Sequence, residues 1–237
     1  MKIIPLIQEG HGQMTAWRRD IHAHPELGLE EQRTADLVAR QLESFGIAVH
    51  RGVGRTGVVG VLRHGSSPRS VGLRADMDAL PVEEANTFAH RSTHAGRMHA
   101  CGHDGHTAML LGAARYLAAT RRFDGTVNFI FQPAEEGLGG ARAMLADGLF
   151  QRFPCQSLFG MHNRPKLAVG RFSSEPVTPR HIGPAVTLAP VERGIAVKVQ
   201  ADTGLAGLLR PGMKVGMVAT LADGDRDIYA KSLLEGL

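Results

Sequence analysis

Four segments of this 237-residue chain concentrate side chains that bind metals or move protons. Arg74-Ala75-Asp76-Met77-Asp78-Ala79-Leu80-Pro81 sets two carboxylates after an apolar run and ahead of a proline. An isolated acidic turn can also be a simple cap. In open α/β sheets, however, ligands bind beyond the carboxyl ends of strands, where these acids would lie. His99-Ala100-Cys101-Gly102-His103-Asp104-Gly105-His106-Thr107 crowds thiol, imidazole and carboxylate groups together. Those groups are ligands for zinc and related ions. Gly102 and Gly105 permit a sharp turn that aims Cys101 and His103 at one centre. Phe129-Ile130-Phe131-Gln132-Pro133-Ala134-Glu135-Glu136-Gly137 ends an apolar run in adjacent glutamates. At a strand end their side chains diverge, so one can bind metal while the other reaches a water. A general base must sit beside the water it deprotonates but need not be a ligand. Gly160-Met161-His162-Asn163 supplies a further imidazole after the next apolar run.

These segments need elements to hold them. Residues 12–45 read as helix, broken at His24-Pro25 because the residue before proline avoids the helical region. The second piece carries Ala35, Leu37, Val38, Leu42 and Phe45 on one stripe and is closed by Gly46. Residues 47–50, 57–62 and 70–74 read as strands. A long apolar helix is expected from His103 to Thr120, a buried strand at Val127–Phe131, a helix at Gly139–Leu145 and a strand at Ser157–Met161. Strands alternating with helices predict an α/β fold, a mixed sheet flanked by helices. Gly52-Val53-Gly54-Arg55-Thr56-Gly57 fits G-x-G-x-x-G, but an apolar strand follows it. The dinucleotide fingerprint must open a helix, so this is a glycine-rich strand connection.

Composition removes other classes. Two cysteines cannot make a disulfide scaffold, and no apolar run reaches the roughly 18–20 residues of a membrane helix. The net charge is +4, but Lys and Arg form no continuous stripe and only 5% of residues are aromatic, which argues against nucleic acid as a partner. No signal-peptide pattern opens the chain, so a cytoplasmic location with reduced Cys101 and Cys155 is expected.

Taken in order, His22-x-His24-Pro25-Glu26-Leu27, the Asp76-Met77-Asp78 segment, His99 to His106, Gln132-Pro133-Ala134-Glu135-Glu136 and Gly160-Met161-His162-Asn163 resemble the M20 metallopeptidase family over residues 12–172. The resemblance is strongest to its hippurate hydrolases, N-acyl-amino-acid deacetylases and auxin-conjugate hydrolases. It implies an α/β catalytic domain with two divalent ions, zinc or manganese, hydrolysing the amide of a small N-acyl amino acid. Cys101, His103, Glu136 and His162 match the metal-ligand positions, with Cys101 as bridging thiolate. Glu135 matches the general base. Asp76 and Asp78 match the acidic motif, Asp78 being our choice for orienting a ligand and helping to set the base. His106, His22 and His24 belong to the family's local motifs, and the remaining histidines are expected on the surface.

The resemblance also implies a lid domain that forms a homo-oligomer and a distal histidine ligand, and neither motif occurs here. Without that ligand the site is expected to hold two ions or only one. The only histidine after Gly170 is His181, in a Pro/Gly-rich turn that reads as surface. From residue 173 to 237 the texture becomes β-rich, with a domain boundary expected near 173. Residues 177–222 resemble the SAF-type β module of CpaB-like pilus-assembly proteins. The alternative to an active hydrolase is therefore a hydrolase remnant, inactive or weakly active, fused to a β module with a structural role.

Overall fold

The side chains of Gly125–Gln132 alternate between two apolar environments, as a strand buried on both faces requires. Phe129 and Phe131 face one cluster and Ile130 faces the other. A computed structural model describes residues 3–163 and 214–217. Within them the elements run α1 (Pro5–Glu9), α2 (His11–Ala23), α3 (Gln32–Ser44), β1 (Ala48–Val53), β2 (Gly57–His64), β3 (Ser70–Asp76), α4 (His103–Thr120), β4 (Gly125–Gln132), α5 (Gly140–Ala146), α6 (Leu149–Arg152), β5 (Ser157–Gly160) and β6 (Lys214–Met217). One sheet has the order β1-β2-β4-β3-β5-β6. β1, β2 and β4 pair antiparallel, whereas β3 runs parallel to both β4 and β5. β5 and β6 also pair in parallel.

The fold is thus a mixed α/β sheet flanked by helices, as the alternation predicts. Met14, Trp17 and Ile21 of α2, Val38 and Leu42 of α3, and Leu110, Leu111 and Leu117 of α4 pack with Phe129 and Phe131. On the other side Met144 of α5 and Leu149 and Phe150 of α6 pack with Val59, Ile130 and Leu158. β2, β3 and β4 run one or two residues beyond the apolar runs that predict them, β1 starts one residue later and ends three later than expected, β5 ends one residue short, and the short α6 carries no pattern long enough to predict it. The G-x-G-x-x-G stretch is the β1–β2 connection, with Gly52, Gly54 and Arg55 at positive φ. The expected module at 173–237 and His181 lie outside the described residues, apart from the backbone of β6.

Because β4, β3 and β5 are adjacent and parallel, their carboxyl ends meet at one edge of the sheet. Asp76 and Gln132 are register partners at that edge. The 77–102 segment folds back over α2. Ala79 donates to the Glu26 carbonyl, Thr93 to the Ala23 carbonyl, and Leu80 pairs with Met98. The chain then enters α4 through Gly102 at φ 88°, where an added Cβ would strike the Asn163 side chain. After β4, Ala134 adopts φ 49°, unusual for a residue with a Cβ. Its N–H and C=O are both held, by Glu31 and by the Gly140 N–H.

Gly140 has no room for a side chain, since a Cβ would be driven into the Pro133 carbonyl. Gly140→Ala is expected to lower unfolding free energy by about 1–3 kcal/mol, the usual penalty of overpacking. Urea denaturation measures it, and an unchanged midpoint would contradict this packing.

Candidate metal centre

Three imidazoles are fixed at this edge through their Nδ1 atoms. His103 Nδ1 lies 3.2 Å from Asp78 Oδ1. His106 Nδ1 donates to Asp76 Oδ1 at 2.6 Å. His162 Nδ1 donates to the Asn163 carbonyl at 2.6 Å. Anchoring one ring nitrogen decides what the other can do. His106 Nε2 accepts the Asn163 N–H at 3.0 Å, so both its nitrogens are engaged. His162 Nε2 instead faces Cys101 Sγ at 3.4 Å. His103 Nε2 is fully buried with no hydrogen-bond partner.

That orphaned Nε2 lies at the centre of the cluster. Glu136 Oε1 is 3.8 Å away, Glu135 Oε2 4.0 Å and Asp76 Oδ2 3.6 Å. Candidate ligand atoms of Cys101, His103 and His162 lie within 4.8 Å of one another, as do those of His103, Glu135 and Glu136. Those of Asp76, His103 and His106 form a third group. Asp78 spans two segments, its second oxygen accepting the Glu136 N–H at 2.9 Å. All eight residues singled out in the sequence are therefore brought to one edge of the sheet.

The electrostatics are those of an acidic pocket organised around one imidazole. Burial works against charge on Asp76, but Arg74, His103 and His106 outweigh it and hold its carboxyl well below the usual range. Burial also opposes charge on His103, and Asp76 and Asp78 override it, holding its pKa well above the ordinary value. Glu135 is pushed up to about 6, by burial first and by the nearby Asp76 carboxylate second.

Several supporting contacts escaped sequence reasoning. Arg74 pairs with Asp76 at 2.6 Å and donates to Gln132 at 2.9 Å, all three being buried. Glu31 is wholly buried, accepting the Thr56 hydroxyl at 2.5 Å and the Ala134 N–H at 2.8 Å. His22 joins Asp104 at 2.8 Å and Glu84 at 3.0 Å. Apart from Arg74 and Asp76, these partners are far apart in the chain, and no local spacing marks them. One expectation is corrected: His99, expected on the surface, is 4% exposed and belongs to the 77–102 segment that folds back to bond Ala23 and Glu26. Cys101 and Cys155 are both free thiols, and burial raises Cys155 to about 11. Among the described residues no helix is long and apolar enough to cross a membrane.

The profile of peptidase family M20/M25/M40 matches residues 72–221, running across the boundary expected near 173. The hippurate hydrolase of Campylobacter jejuni is 53% identical over 165 residues, 70% of this chain and 43% of that protein. An IAA-amino acid hydrolase of Arabidopsis thaliana is 48% identical over 162 residues, 68% of this chain and 36% of that protein. The YXEP protein of Bacillus subtilis, a dinuclear metal-binding peptidase of the M20 family, has a similar structure. Its TM-score is 0.67 at 39% identity, over 72% of this chain and 48% of that one. The chain spans less than half the length of these relatives. None of these matches supports the SAF-type reading of residues 177–222.

Proposed function

Since this chain belongs to peptidase family M20/M25/M40, we propose that it encodes the catalytic part of a metal-dependent amidohydrolase acting on N-acyl amino acids. The observation that carries the proposal is His103 Nε2, buried without a partner between Cys101, His162 and two glutamates. A donor atom so placed fits a cation, as does a set combining thiolate, imidazole and carboxylate. Hippurate and indoleacetyl-amino acids, the substrates in the relatives' names, are both N-acyl amino acids.

Cys101, His103, His162 and Glu136 would hold the metal, with zinc or manganese the ions that suit these donors. When bound, divalent ions lower the pKa of water and polarise the scissile carbonyl. Asp78 keeps the His103 ring turned with Nε2 inward and pins the Glu136 backbone. Glu135 takes the proton of the attacking water and delivers it to the leaving nitrogen. Its raised pKa, about 6, suits a group that must both accept and return a proton near neutrality. Asp76 orients His106, which in turn accepts the Asn163 N–H and ties the residue after His162 to α4.

The test is metal content together with hydrolysis. The full chain, loaded with zinc or manganese, should release glycine from hippurate. Cys101→Ala should bind metal at least about 100-fold more weakly, more than loss of an outer-sphere partner costs. Unchanged metal content in that variant would overturn the ligand assignment. A metal-loaded chain that hydrolyses no N-acyl amino acid would favour the remnant over the enzyme.

A further inference from the structure

Glu31 is a wholly buried carboxylate to which the proposed chemistry gives no task. It stands at the N-cap of α3, where an acid ordinarily turns to the free N–H groups of the first helical turn. Its side chain makes no such bond. Glu26 serves that turn from outside the helix instead. It accepts the Arg33 N–H at 2.9 Å and the Thr34 N–H and hydroxyl at 2.8 Å each. Glu31 is thereby free to point elsewhere.

Its two oxygens meet neutral donors. Oε2 accepts the Thr56 hydroxyl at 2.5 Å and Oε1 accepts the Ala134 N–H at 2.8 Å. Burial raises its pKa against these two bonds, and the charge of Asp78 adds to the rise. A buried carboxylate served only by neutral donors costs stability, so its position calls for a reason.

Ala134 supplies one. It immediately precedes Glu135 and holds φ 49° despite its Cβ. Backbone strain of that kind persists only where the surroundings impose it. Here the surroundings are the turn that carries Glu31. Leu29 in that turn also has positive φ, 66°. A Cβ on Gly28 would lie 3.0 Å from the Ala134 Cβ and 3.2 Å from Leu138 Cδ1, so the turn packs directly on the start of the 134–138 segment. Asp78 holds the segment from the other side, accepting the Glu136 N–H at 2.9 Å. Two carboxylates from distant parts of the chain therefore fix the N–H groups on either side of Glu135.

We propose that Glu31 is a positioning residue of the metal centre: by holding the Ala134 N–H it sends the next two side chains, Glu135 and Glu136, from the end of β4 towards His103 Nε2. Their carboxylate oxygens stop 4.0 and 3.8 Å from that nitrogen. The role rests on the metal-dependent amidohydrolase proposal, and it adds a residue that touches neither metal nor substrate.

Zinc titrated into the full chain by calorimetry, below the unfolding midpoint of each variant, tests it without hydrolysis. Glu31→Met removes the acceptor and should weaken zinc about 10–100-fold, the range for an outer-shell partner. Glu31→Gln keeps a carbonyl for Ala134, and the Thr56 hydroxyl can turn to accept from the amide, so zinc affinity should return close to that of the parent. Leu42→Ala destabilises α3 from its core face and should leave zinc affinity unchanged. If Glu31→Met does not fold, Glu31→Asp takes its place, its carboxylate one methylene short of Ala134. Unchanged zinc affinity in the Met or Asp variant, or an equal loss in Leu42→Ala, overturns the role. A parent chain that binds no zinc overturns the metal centre and the role together. At saturating zinc, kcat for hippurate should fall about tenfold in Glu31→Met with KM little changed, and recover in Glu31→Gln. An unchanged kcat overturns the hold on Glu135. A zinc loss restored by Glu31→Gln in a chain that hydrolyses no N-acyl amino acid would retain the positioning role and overturn the amidohydrolase reading.

Discussion

Glu135→Gln is expected to lower kcat for hippurate by about 10²–10⁴-fold while leaving metal content and unfolding midpoint unchanged. The amide copies the carboxylate's size and cannot accept a proton. Glu135 Oε2 is among the carboxylate oxygens near His103 Nε2, at 4.0 Å, and its side chain keeps 18% exposure. It can therefore meet both a water and a leaving nitrogen. Its neighbour differs in one respect that decides the division of labour: the backbone N–H of Glu136 is held by Asp78, the same carboxylate that orients His103. That shared anchor ties Glu136 to the ligand imidazole, a tie that Glu135 is not given. Glu136→Gln should accordingly lose metal first and activity as a consequence, with partial recovery at high metal concentration. Metal titration by calorimetry alongside steady-state kinetics distinguishes the pair. If both variants lose metal equally and recover equally, the assignment of base and ligand is wrong.

What could be read from the sequence is what lies close together in it. Cys101, Gly102 and His103 announce a ligand pair because three residues suffice to bring the thiol and the imidazole to one side of a turn. Glu135 and Glu136 follow a strand whose apolar run is unmistakable, so their place at its carboxyl end was legible too. The helix from His103 to Thr120 and the strand–helix alternation gave the fold class for the same reason. The supporting shell was not legible. Glu31 reaches Ala134 across 103 positions, His22 reaches Asp104 across 82, and Arg74 reaches Gln132 across 58. Each contact depends on which strands become neighbours, and neither periodicity nor spacing states that. His99 was misplaced for a related reason. Its segment has no regular structure of its own, so no periodicity announces its burial.

Arg74→Met is expected to cost about 3–5 kcal/mol of stability, because it leaves a buried carboxylate without its cation. Arg74 and Asp76 are 4% and 1% exposed at the side chain and meet at 2.6 Å. The same guanidinium donates to Gln132 at the end of the adjacent strand, so it braces the carboxyl ends of β3 and β4 against each other. Methionine fills similar apolar volume, so the loss would be electrostatic and hydrogen-bonding rather than a cavity. Domains of this kind have about 5–15 kcal/mol in total, so the variant should be close to unfolding at 37 °C. Removing the charge that Arg74 serves should reverse most of the damage. Arg74→Met combined with Asp76→Asn is expected to be more stable than Arg74→Met alone, and urea unfolding free energies of both single variants, the double variant and the parent give the coupling of the pair. A loss below about 1 kcal/mol for Arg74→Met would mean that the ion pair contributes no more than an exposed one. Asp76 also accepts from His106 through Oδ1 and, through its backbone carbonyl, from the Thr107 hydroxyl at 2.9 Å. The arginine is thus the far end of a chain that runs through Asp76 to α4. Its removal should loosen His106 and Asn163 before it reaches His103, whose own anchor is Asp78. Metal affinity in Arg74→Met, measured below its unfolding temperature, should therefore fall less than in an Asp78→Asn variant.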